Sequence, residues 1–259
     1  MPFTLAHPAA ILPLRRLRFL QTVPLVIGSL VPDLPYFFPS RFGRTYFPDT
    51  HTLYGSFSVD LPLGMAVLLL LLLLREPLTV MLGARLRWVC RQSIDNFYAR
   101  PLHWPIALLS ILVGTWTHMI WDSFTHESTW TTARVAALSA PVSVFGWDTE
   151  TSHLLQYVSS VFGLAVLAVW LGLRVLRAPR SVVEDPTLPR ARWLTLALIS
   201  VVALAFGLSR VLAAWNTGAT YYHLAYLLTT RSISLFATAY LAAGILTVFS
   251  RRPVPEPAQ

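Results

Sequence analysis

Three side chains near the middle of the chain have the type and spacing of metal ligands. His118, Asp122 and His126 follow one another at intervals of four residues. On an α-helix each interval turns the side chain by only about 40°, so all three project from one face. The rise from the first to the third is about 12 Å, too far for one ion with ligand bonds of about 2.0–2.2 Å on a straight helix. Either the helix breaks after Asp122 or two ions are bound.

Further histidines and carboxylates lie in the first quarter of the chain. Asp33 follows a proline, His51 follows Asp49-Thr50, and His7 lies close to the N-terminus. An ionisable side chain within an apolar segment costs about 2.5–3.5 kcal/mol on insertion scales, so each requires a partner or a function. Two histidines with carboxylates suit zinc, whereas a set richer in carboxylates would admit manganese or iron. We therefore expect a divalent metal site, with zinc preferred.

Three more charged residues are candidates for supporting roles. Asp60 begins an apolar segment, and we interpret it as a ligand, as an acceptor that orients a ligand histidine, or as a carboxylate at a helix N-terminus. Arg41 and Arg44 lie between Asp33 and His51. A guanidinium matches a phosphate or carboxylate, so they are predicted to bind substrate, with contact to a lipid headgroup as the alternative.

The composition indicates which elements position these residues. Of the 259 residues 55% are hydrophobic and only 12% are charged, and the mean hydropathy is +0.57; soluble domains carry about 25% charged residues. We therefore predict an all-α polytopic membrane helical bundle, with a single integral-membrane domain over 1–250 and a disordered tail over 251–259. The full spans are predicted at about 57–74, 104–124, 154–173, 193–214 and 232–250.

The N-terminal apolar segment is too short to be an ordinary span. As one continuous helix it would separate His7 from Asp33 by roughly 39 Å. Pro13 disrupts such a helix, and the arginines at 15–18 suit a cytoplasmic turn. We predict a helical hairpin that brings His7 and Asp33 together, with a sixth span as the alternative.

The arginines predict the orientation of the chain. The segments around 15–18, 75–103, 174–192 and 251–259 contain 15 of the 20 basic residues, all arginine, and 5 of the 12 acids. Basic residues are retained on the cytoplasmic side, so we expect a multi-pass membrane protein with a cytoplasmic C-terminus. The net charge of +8 is therefore explained by the orientation of the chain and does not indicate nucleic-acid binding. The single cysteine, Cys90, excludes an internal disulfide and a cysteine-based zinc site.

The order of motifs resembles a bacterial membrane family called domain of unknown function 4184. The residues that carry the resemblance are Met1 through Ala9, Gly28 through Asp33 with Tyr36-Phe37, His51 through Gly55, and His118 through His126. The pattern is also similar to that of the YdjM-like inner-membrane proteins, which are classed as metal-dependent hydrolases. The resemblance implies that His7, Asp33, His51, His118 and Asp122 are metal ligands. It also implies that the protein lies in the bacterial inner (cytoplasmic) membrane.

Together these patterns favour a membrane-embedded, metal-dependent hydrolase with its site at the extracytoplasmic face. A lipid or phosphoester substrate is expected, with Asp122 or Asp33 as the base. The alternatives are a transporter-like protein that binds metal or protons in transit, and a structural protein whose polar cluster specifies helix packing. The lipid bilayer is the expected partner, and the sequence leaves the oligomeric state open.

Overall fold

The computed structural model describes residues 4–38, 43, 45–99, 103–144, 146–182 and 189–250. The predicted tail and both candidate substrate-binding arginines, Arg41 and Arg44, lie outside them. The α-helices are α1 (Thr22–Gly28), α2 (Leu53–Leu73), α3 (Arg75–Val80), α4 (Ala84–Tyr98), α5 (His103–Thr125), α6 (Thr151–Leu176), α7 (Pro189–Trp215) and α8 (Tyr221–Ser250). Short 3₁₀ helices cover Thr4–Ala9, Leu14–Arg16 and Val31–Phe37.

Five of these helices are long and apolar enough to cross a membrane, which confirms the predicted helical membrane fold. They are α2, α5, α6, α7 and α8. Four of the predicted spans lie within one of these helices, and the span predicted at 57–74 overlaps α2 and runs one residue past its end. The sequence analysis missed one small element. Pro141–Val144 (β1) pairs antiparallel with Trp147–Glu150 (β2), with Pro141 opposite Glu150.

The chain divides into two compact units. Unit 1 comprises Met1–Leu69 and Ser93–Leu176, and unit 2 comprises Leu70–Gln92 and Arg177–Gln259. The candidate metal ligands all belong to unit 1.

Glycines allow the short helix α1 to pack directly against α5 in unit 1. A Cβ on Gly28 would lie 2.1 Å from the carbonyl oxygen of Ile111, and one on Gly114 would lie 2.3 Å from that of Leu25. Such backbone contact between helices requires small residues. The hydroxyl of Thr115 also donates to the carbonyl of Gly28 at 3.3 Å. This packing fixes the C-terminal end of α1 beside the middle of α5.

The two ends of the N-terminal segment meet, as the hairpin prediction required. The hydroxyl of Thr4 donates to Oδ2 of Asp33 at 2.7 Å. Between these residues the chain folds back around a small core of Ile11, Leu20 and Leu25, each no more than 2% exposed. The first arm is a 3₁₀ helix rather than an α-helix, and it contains Pro8, which lacks an N–H for regular helix bonding.

Unit 2 contains α3, α7, α8 and part of α4. α7 packs on α8, and α8 packs on α3, where a Cβ on Gly244 would lie 2.1 Å from the carbonyl oxygen of Pro77. The hydroxyl of Tyr240 donates to the carbonyl of Leu78 at 2.8 Å.

Candidate metal centre

Four side chains from three separate segments converge in unit 1. Asp33 lies on the 3₁₀ helix Val31–Phe37, His51 lies just before α2, and His118 and Asp122 lie one turn apart on α5. Each offers one ligand atom, and these four atoms all lie within 4.8 Å of one another. We call Asp33, His51, His118 and Asp122 the four-residue cluster. The sequence analysis named all four as metal ligands, and this group could hold a metal ion.

The four distances between histidine and aspartate atoms of the cluster are close to those between ligands of a single ion. Nε2 of His51 lies 3.3 Å from Oδ1 of Asp33 and 3.5 Å from Oδ2 of Asp122. Nε2 of His118 lies 3.5 Å and 3.2 Å from the same two oxygens. Ligand atoms placed tetrahedrally about 2.0–2.2 Å from an ion are about 3.3–3.6 Å apart. The observed separations therefore suit a shared ion.

Three of the converging atoms have no other role among the described residues. Nε2 of His51, Nε2 of His118 and Oδ1 of Asp33 are buried and have no hydrogen-bond partner there. Buried polar atoms in folded proteins are nearly always paired, and an absent ion is one accepted reason when they are not. The four side chains therefore fit a cation in two respects. Their ligand atoms are suitably spaced, and three of these atoms have no other partner among the described residues.

The cluster is closed on most sides and opens at one histidine. The side chains of Asp33 and His118 are 0% exposed, whereas that of His51 is 31% exposed. A molecule from outside would therefore approach past His51.

His118 is positioned by the packing of α1 on α5. Its Nδ1 lies 2.8 Å from the carbonyl oxygen of Ser29, which directly follows α1. A carbonyl only accepts hydrogen bonds, so Nδ1 carries the proton and Nε2 presents a lone pair to the cluster. This is the arrangement that orients most histidines bound to metals.

His51 is positioned by a tight turn before α2. Asp49 adopts φ of 61°, a left-handed conformation that aspartate tolerates better than most residues. The hydroxyl of Thr52 donates to the carbonyl of Asp49 at 2.9 Å and accepts from the amide of Gly55 at 2.9 Å. The hydroxyl of Thr50 lies 3.0 Å from Nδ1 of His51. That contact leaves Nε2 facing the cluster.

Without an ion, a proton on His51 offsets part of the negative charge of the carboxylates in the cluster. Burial opposes ionisation of Asp33, but His118 and His51 beside it hold its pKa well below the usual value. Burial also opposes protonation of His51, yet the carboxylates of Asp122 and Asp33 outweigh it and raise its pKa to about 9. His51 is therefore protonated at neutral pH in the ion-free protein. A bound cation would replace that positive charge.

His7 and His126 lie next to the cluster but outside the four. Nε2 of His7 and Nδ1 of His126 each lie 3.5 Å from Oδ1 of Asp122, the oxygen that points away from His51 and His118. The ring of His7 stacks on that of His118, with centroids 3.8 Å apart. Burial, and then His118, lowers the pKa of His7 to about 4, and burial lowers that of His126. Because α5 continues to Thr125, a helix break after Asp122, one of the two alternatives left open by the sequence, does not occur.

Asp60 is not the N-terminal carboxylate of its helix, which was one of the three roles offered for it. It is 0% exposed and lies at the end of a π-helical turn, Ser56–Asp60, inside α2 rather than at its N-terminus. Neither of its oxygens has a hydrogen-bond partner among the described residues, and its roles as a ligand or as an orienting acceptor stay predictions. The orienting contacts that the structure shows come from Ser29 and Thr50.

The sequence analysis overlooked several residues that support the site. Thr4 holds Oδ2 of Asp33, Ser29 and Thr50 orient histidines, and the amide of Gln156 lies 2.9 Å from Nε2 of His126. The sequence could have indicated Gln156, since an amide within an apolar span requires a partner. Ser29 carried none, because its contribution is a main-chain carbonyl 89 residues from its partner.

The fold and the site define a helical protein with five helices able to cross a membrane and a buried Asp/His group able to hold a metal ion. A family model described as domain of unknown function (DUF4184) matches residues 1–249, so the chain belongs to this family. Comparison with curated proteins and with solved structures gave no match. The likeness to the YdjM-like hydrolases stays a prediction.

Proposed function

We propose that the protein is a membrane-embedded, metal-dependent hydrolase that acts on a phosphoester or lipid-type substrate. The observation that carries the proposal is the convergence of unpartnered donor atoms from Asp33, His51 and His118 beside Asp122. Two nitrogen and two oxygen donors suit zinc better than calcium or magnesium, which prefer sets composed of oxygen atoms. When bound there, zinc supplies Lewis acidity and makes water a nucleophile near neutral pH.

The carboxylates of the cluster differ in their capacity to accept a proton. Asp33 has one oxygen in the cluster and accepts a hydrogen bond from Thr4 with the other. Asp122 has Oδ2 in the cluster, and its Oδ1 faces the histidines outside it. Of the two predicted bases, Asp122 is therefore the one with an oxygen available to take a proton from an attacking water.

The surroundings of His51 support an amphipathic substrate. Leu53 and Tyr54, which follow it closely in the chain, are 65% and 76% exposed, and the ring of Tyr36 lies 6.1 Å from that of His51. Exposed apolar side chains beside a polar site are typical of surfaces that bind lipid or other apolar ligands. Arg41 and Arg44 would hold the anionic group of such a substrate.

The location follows from the distribution of arginine. If the arginine-rich segments are cytoplasmic, the segments containing Asp33, His51 and the C-terminal end of α5 face the other side. The site would then open to the outer leaflet of a bacterial inner membrane, and the C-terminus would be cytoplasmic.

Metal analysis of the detergent-purified protein tests the proposal first. We expect at least one zinc ion per chain in the wild type and in His223→Ala, which removes an exposed histidine in unit 2. We expect a loss of more than nine-tenths of that zinc in His118→Ala and Asp122→Ala, because each removes a cluster ligand. Elution as a single symmetric peak in size-exclusion chromatography shows that each variant folds. A wild type that takes up no transition metal even from added zinc contradicts the proposal.

Activity is tested with chromogenic phosphoesters and micellar phospholipids. We expect hydrolysis by the zinc-loaded wild type and a fall of at least about 10³-fold in Asp122→Ala, which is the scale of losing an essential catalytic group. Metal binding without hydrolysis, together with zinc flux in proteoliposomes, would favour a transporter instead. A folded protein that binds no metal would favour a structural role for the cluster.

A further inference from the structure

A cavity of about 400 Å³ lies in unit 1, away from the metal cluster. Three segments bound it: the residues that lead into α1, the C-terminal part of α4 and the last turn of α6. They contribute Gln21, Phe97 and Arg174 to its wall. Ligand sites in proteins typically have volumes of about 300–1,000 Å³. The cavity is therefore large enough for a small molecule or a lipid headgroup.

Helix α5 shows how far this cavity lies from the metal cluster. The main-chain N–H of Gln21 donates to the hydroxyl of Ser110 on α5 at 2.9 Å. Ser110 precedes Asp122 by twelve residues, which is about 18 Å along the helix axis. The cavity and the metal cluster are therefore two distinct places in unit 1.

Two amide side chains line the cavity, and one of them has an unused acceptor. Gln21 is 3% exposed, and its Nε2 donates to the carbonyl oxygen of Phe97 at 3.4 Å. Because a carbonyl only accepts hydrogen bonds, this contact fixes which end of the amide faces Phe97. Oε1 of Gln21 has no hydrogen-bond partner among the described residues. The second amide belongs to Asn96, which is exposed. The wall thus offers hydrogen bonds to a ligand that carries hydroxyl groups.

Two arginines meet at Trp170 beside the cavity. Arg174 lines the cavity, and the guanidinium carbons of Arg174 and Arg15 lie 5.5 Å and 5.4 Å from the centre of the Trp170 ring. Stacking on an aromatic ring holds a guanidinium group in place. Burial, and then the positive charge of Arg174, lowers the pKa of Arg15. The two like charges are therefore close enough to repel each other.

No carboxylate offsets this positive charge among the residues that the structure describes. Neither Arg15 nor Arg174 forms an ion pair with an acidic side chain there, in contrast to Arg91, which pairs with Glu76. The described residues that line the cavity include no aspartate or glutamate. A guanidinium group matches a phosphate in charge and in hydrogen-bond geometry. The cavity is therefore suited to a phosphate group.

The position of Arg174 in the chain indicates the depth of the cavity in a bilayer. Arg174 directly follows the predicted span at 154–173, and Trp170 lies one turn before it. Tryptophan and arginine at the end of a span are typical of the headgroup region. Basic pockets between membrane helices also bind lipid headgroups. The cavity would therefore lie level with the phosphates of the bilayer.

We propose that this cavity binds a glycerophosphate group, which is a phosphate ester that carries free hydroxyls. Arg174 binds the phosphate, Arg15 adds positive charge, and the amides of Gln21 and Asn96 bind the hydroxyls. A headgroup with an ammonium group is disfavoured, because its positive charge would meet two arginines that no carboxylate offsets. The glycerophosphate group occurs in phosphatidylglycerol in a bilayer and in glycerol 3-phosphate in solution. This inference goes beyond the proposed function and does not depend on metal binding.

Native mass spectrometry of the chelator-treated, full-length protein tests the proposal without any substitution. We expect one phosphatidylglycerol per chain, bound at least about 10-fold more tightly than phosphatidylethanolamine or phosphatidylmethanol. Phosphatidylmethanol has the same phosphate diester but no headgroup hydroxyl. Equal affinities for the three lipids overturn the proposal. Competition by glycerol 3-phosphate would assign the site to a soluble ligand, and binding of the lipid alone would assign it to the bilayer; either result supports the glycerophosphate chemistry.

Substitutions assign this binding to the cavity. Arg174→Gln should lower the affinity for phosphatidylglycerol at least about 10-fold, because the phosphate loses its charged partner. Arg190→Gln, which removes an exposed arginine of unit 2, should leave that affinity unchanged. Equal affinities in these two variants overturn the proposal.

The two amides are tested by the preference between lipids. Gln21→Met combined with Asn96→Leu should bind phosphatidylglycerol and phosphatidylmethanol equally, because the contacts to the headgroup hydroxyls are lost. A preference as large as that of the wild type overturns the proposed role of the amides. Size-exclusion chromatography checks the fold of each variant. Asn96→Leu alone changes an exposed residue, so it gives the same test, with a partial loss of preference, if the double variant does not fold.

Discussion

The two units bury polar side chains in different ways. In unit 2 the buried threonines, Thr79 and Thr230, donate to main-chain carbonyls of their own helices at 2.7 Å. In unit 1, buried atoms of Asp33, His51 and His118 point at one another without forming hydrogen bonds among the described residues. Both units contain long apolar helices, so hydropathy does not separate them. A buried atom without a partner is not enough to mark a site, since Oγ of Ser232 in unit 2 also lacks one among the described residues. The convergence of such atoms from aspartate and histidine in unit 1 shows where a ligand would bind.

The largest effect on the contrast between the two units is expected from a substitution that disrupts the packing of α1 on α5. Gly114→Ala places a Cβ 2.3 Å from the carbonyl oxygen of Leu25 and 2.8 Å from the amide nitrogen of Ser29. We expect a loss of about 3 kcal/mol in the free energy of unfolding and of about 100-fold in zinc affinity, because the Ser29 carbonyl no longer orients His118. Denaturation in mixed micelles and zinc titration measure the two effects.

Gly172→Ala is the matched control for this substitution. A Cβ at Gly172 meets nothing within 4 Å, so alanine there should stabilise α6 by about 0.5–1 kcal/mol. Zinc affinity should not change. Equal effects of the two substitutions would show that α1 does not pack on α5 as described.

A substitution in unit 2 should separate folding from metal binding. Gly244→Ala places a Cβ 2.1 Å from the carbonyl oxygen of Pro77, so we expect a loss of about 2 kcal/mol in stability. The zinc content of the folded fraction should stay at the wild-type value, because the cluster belongs to unit 1. A parallel loss of zinc would mean that the two units are not independent in function.

The fold was largely predictable because spans are encoded locally. A run of apolar residues long enough to cross a membrane can be recognised from the sequence alone, and each predicted span overlaps one of the five long helices along nearly its whole length. The β1–β2 hairpin was missed because its strands contain only four residues each, too few for a clear alternating pattern. The 3₁₀ geometry at Thr4–Ala9 was also missed, although Pro8 disfavours a regular α-helix there.

The site was predictable in its ligands and less so in its supporting contacts. Histidines and carboxylates within apolar segments are rare enough to indicate Asp33, His51, His118 and Asp122 directly. Their orienting partners depend on tertiary contacts, such as that between His118 and the Ser29 carbonyl, which no spacing rule reveals. Asp60 was expected near the start of the span at 57–74, and the structure places the start of that helix earlier, at Leu53.

Stability of the metal-free protein should depend on the protonation of His51. Its pKa is about 9 in the folded protein, against an ordinary value of 6.5. A raised pKa contributes stability that is fully present below pH 6.5 and is lost as the pH rises through 9. The melting temperature of chelator-treated protein should fall over this window. Zinc should abolish the dependence, and His51→Gln should weaken it. A flat profile without metal would contradict the proposed charge balance.

A smaller effect is expected from the contact that orients His51. Thr50→Val removes the hydroxyl 3.0 Å from Nδ1 of His51 and keeps the side-chain volume. Zinc affinity should fall by about 10-fold, the lower end for losing such a contact. Thr238→Val is the control, since that exposed hydroxyl bonds only within α8, to the carbonyl of Ser234. An affinity unchanged by Thr50→Val would show that the turn at Asp49 positions His51 by itself.

The smallest effect is expected at Asp60, and it tests whether every unpartnered polar group in unit 1 belongs to the site. Both oxygens of Asp60 lack a hydrogen-bond partner among the described residues, and Asp60 is absent from the group whose atoms converge. Asp60→Asn keeps the shape and removes no described hydrogen bond, so zinc affinity should stay within about twofold, too small a change to reflect a lost orienting contact. A fall of 10-fold or more, with the protein still folded, would place Asp60 among the groups that balance the charge of the ion. The boundary of the metal centre would then have to extend into the π turn of α2.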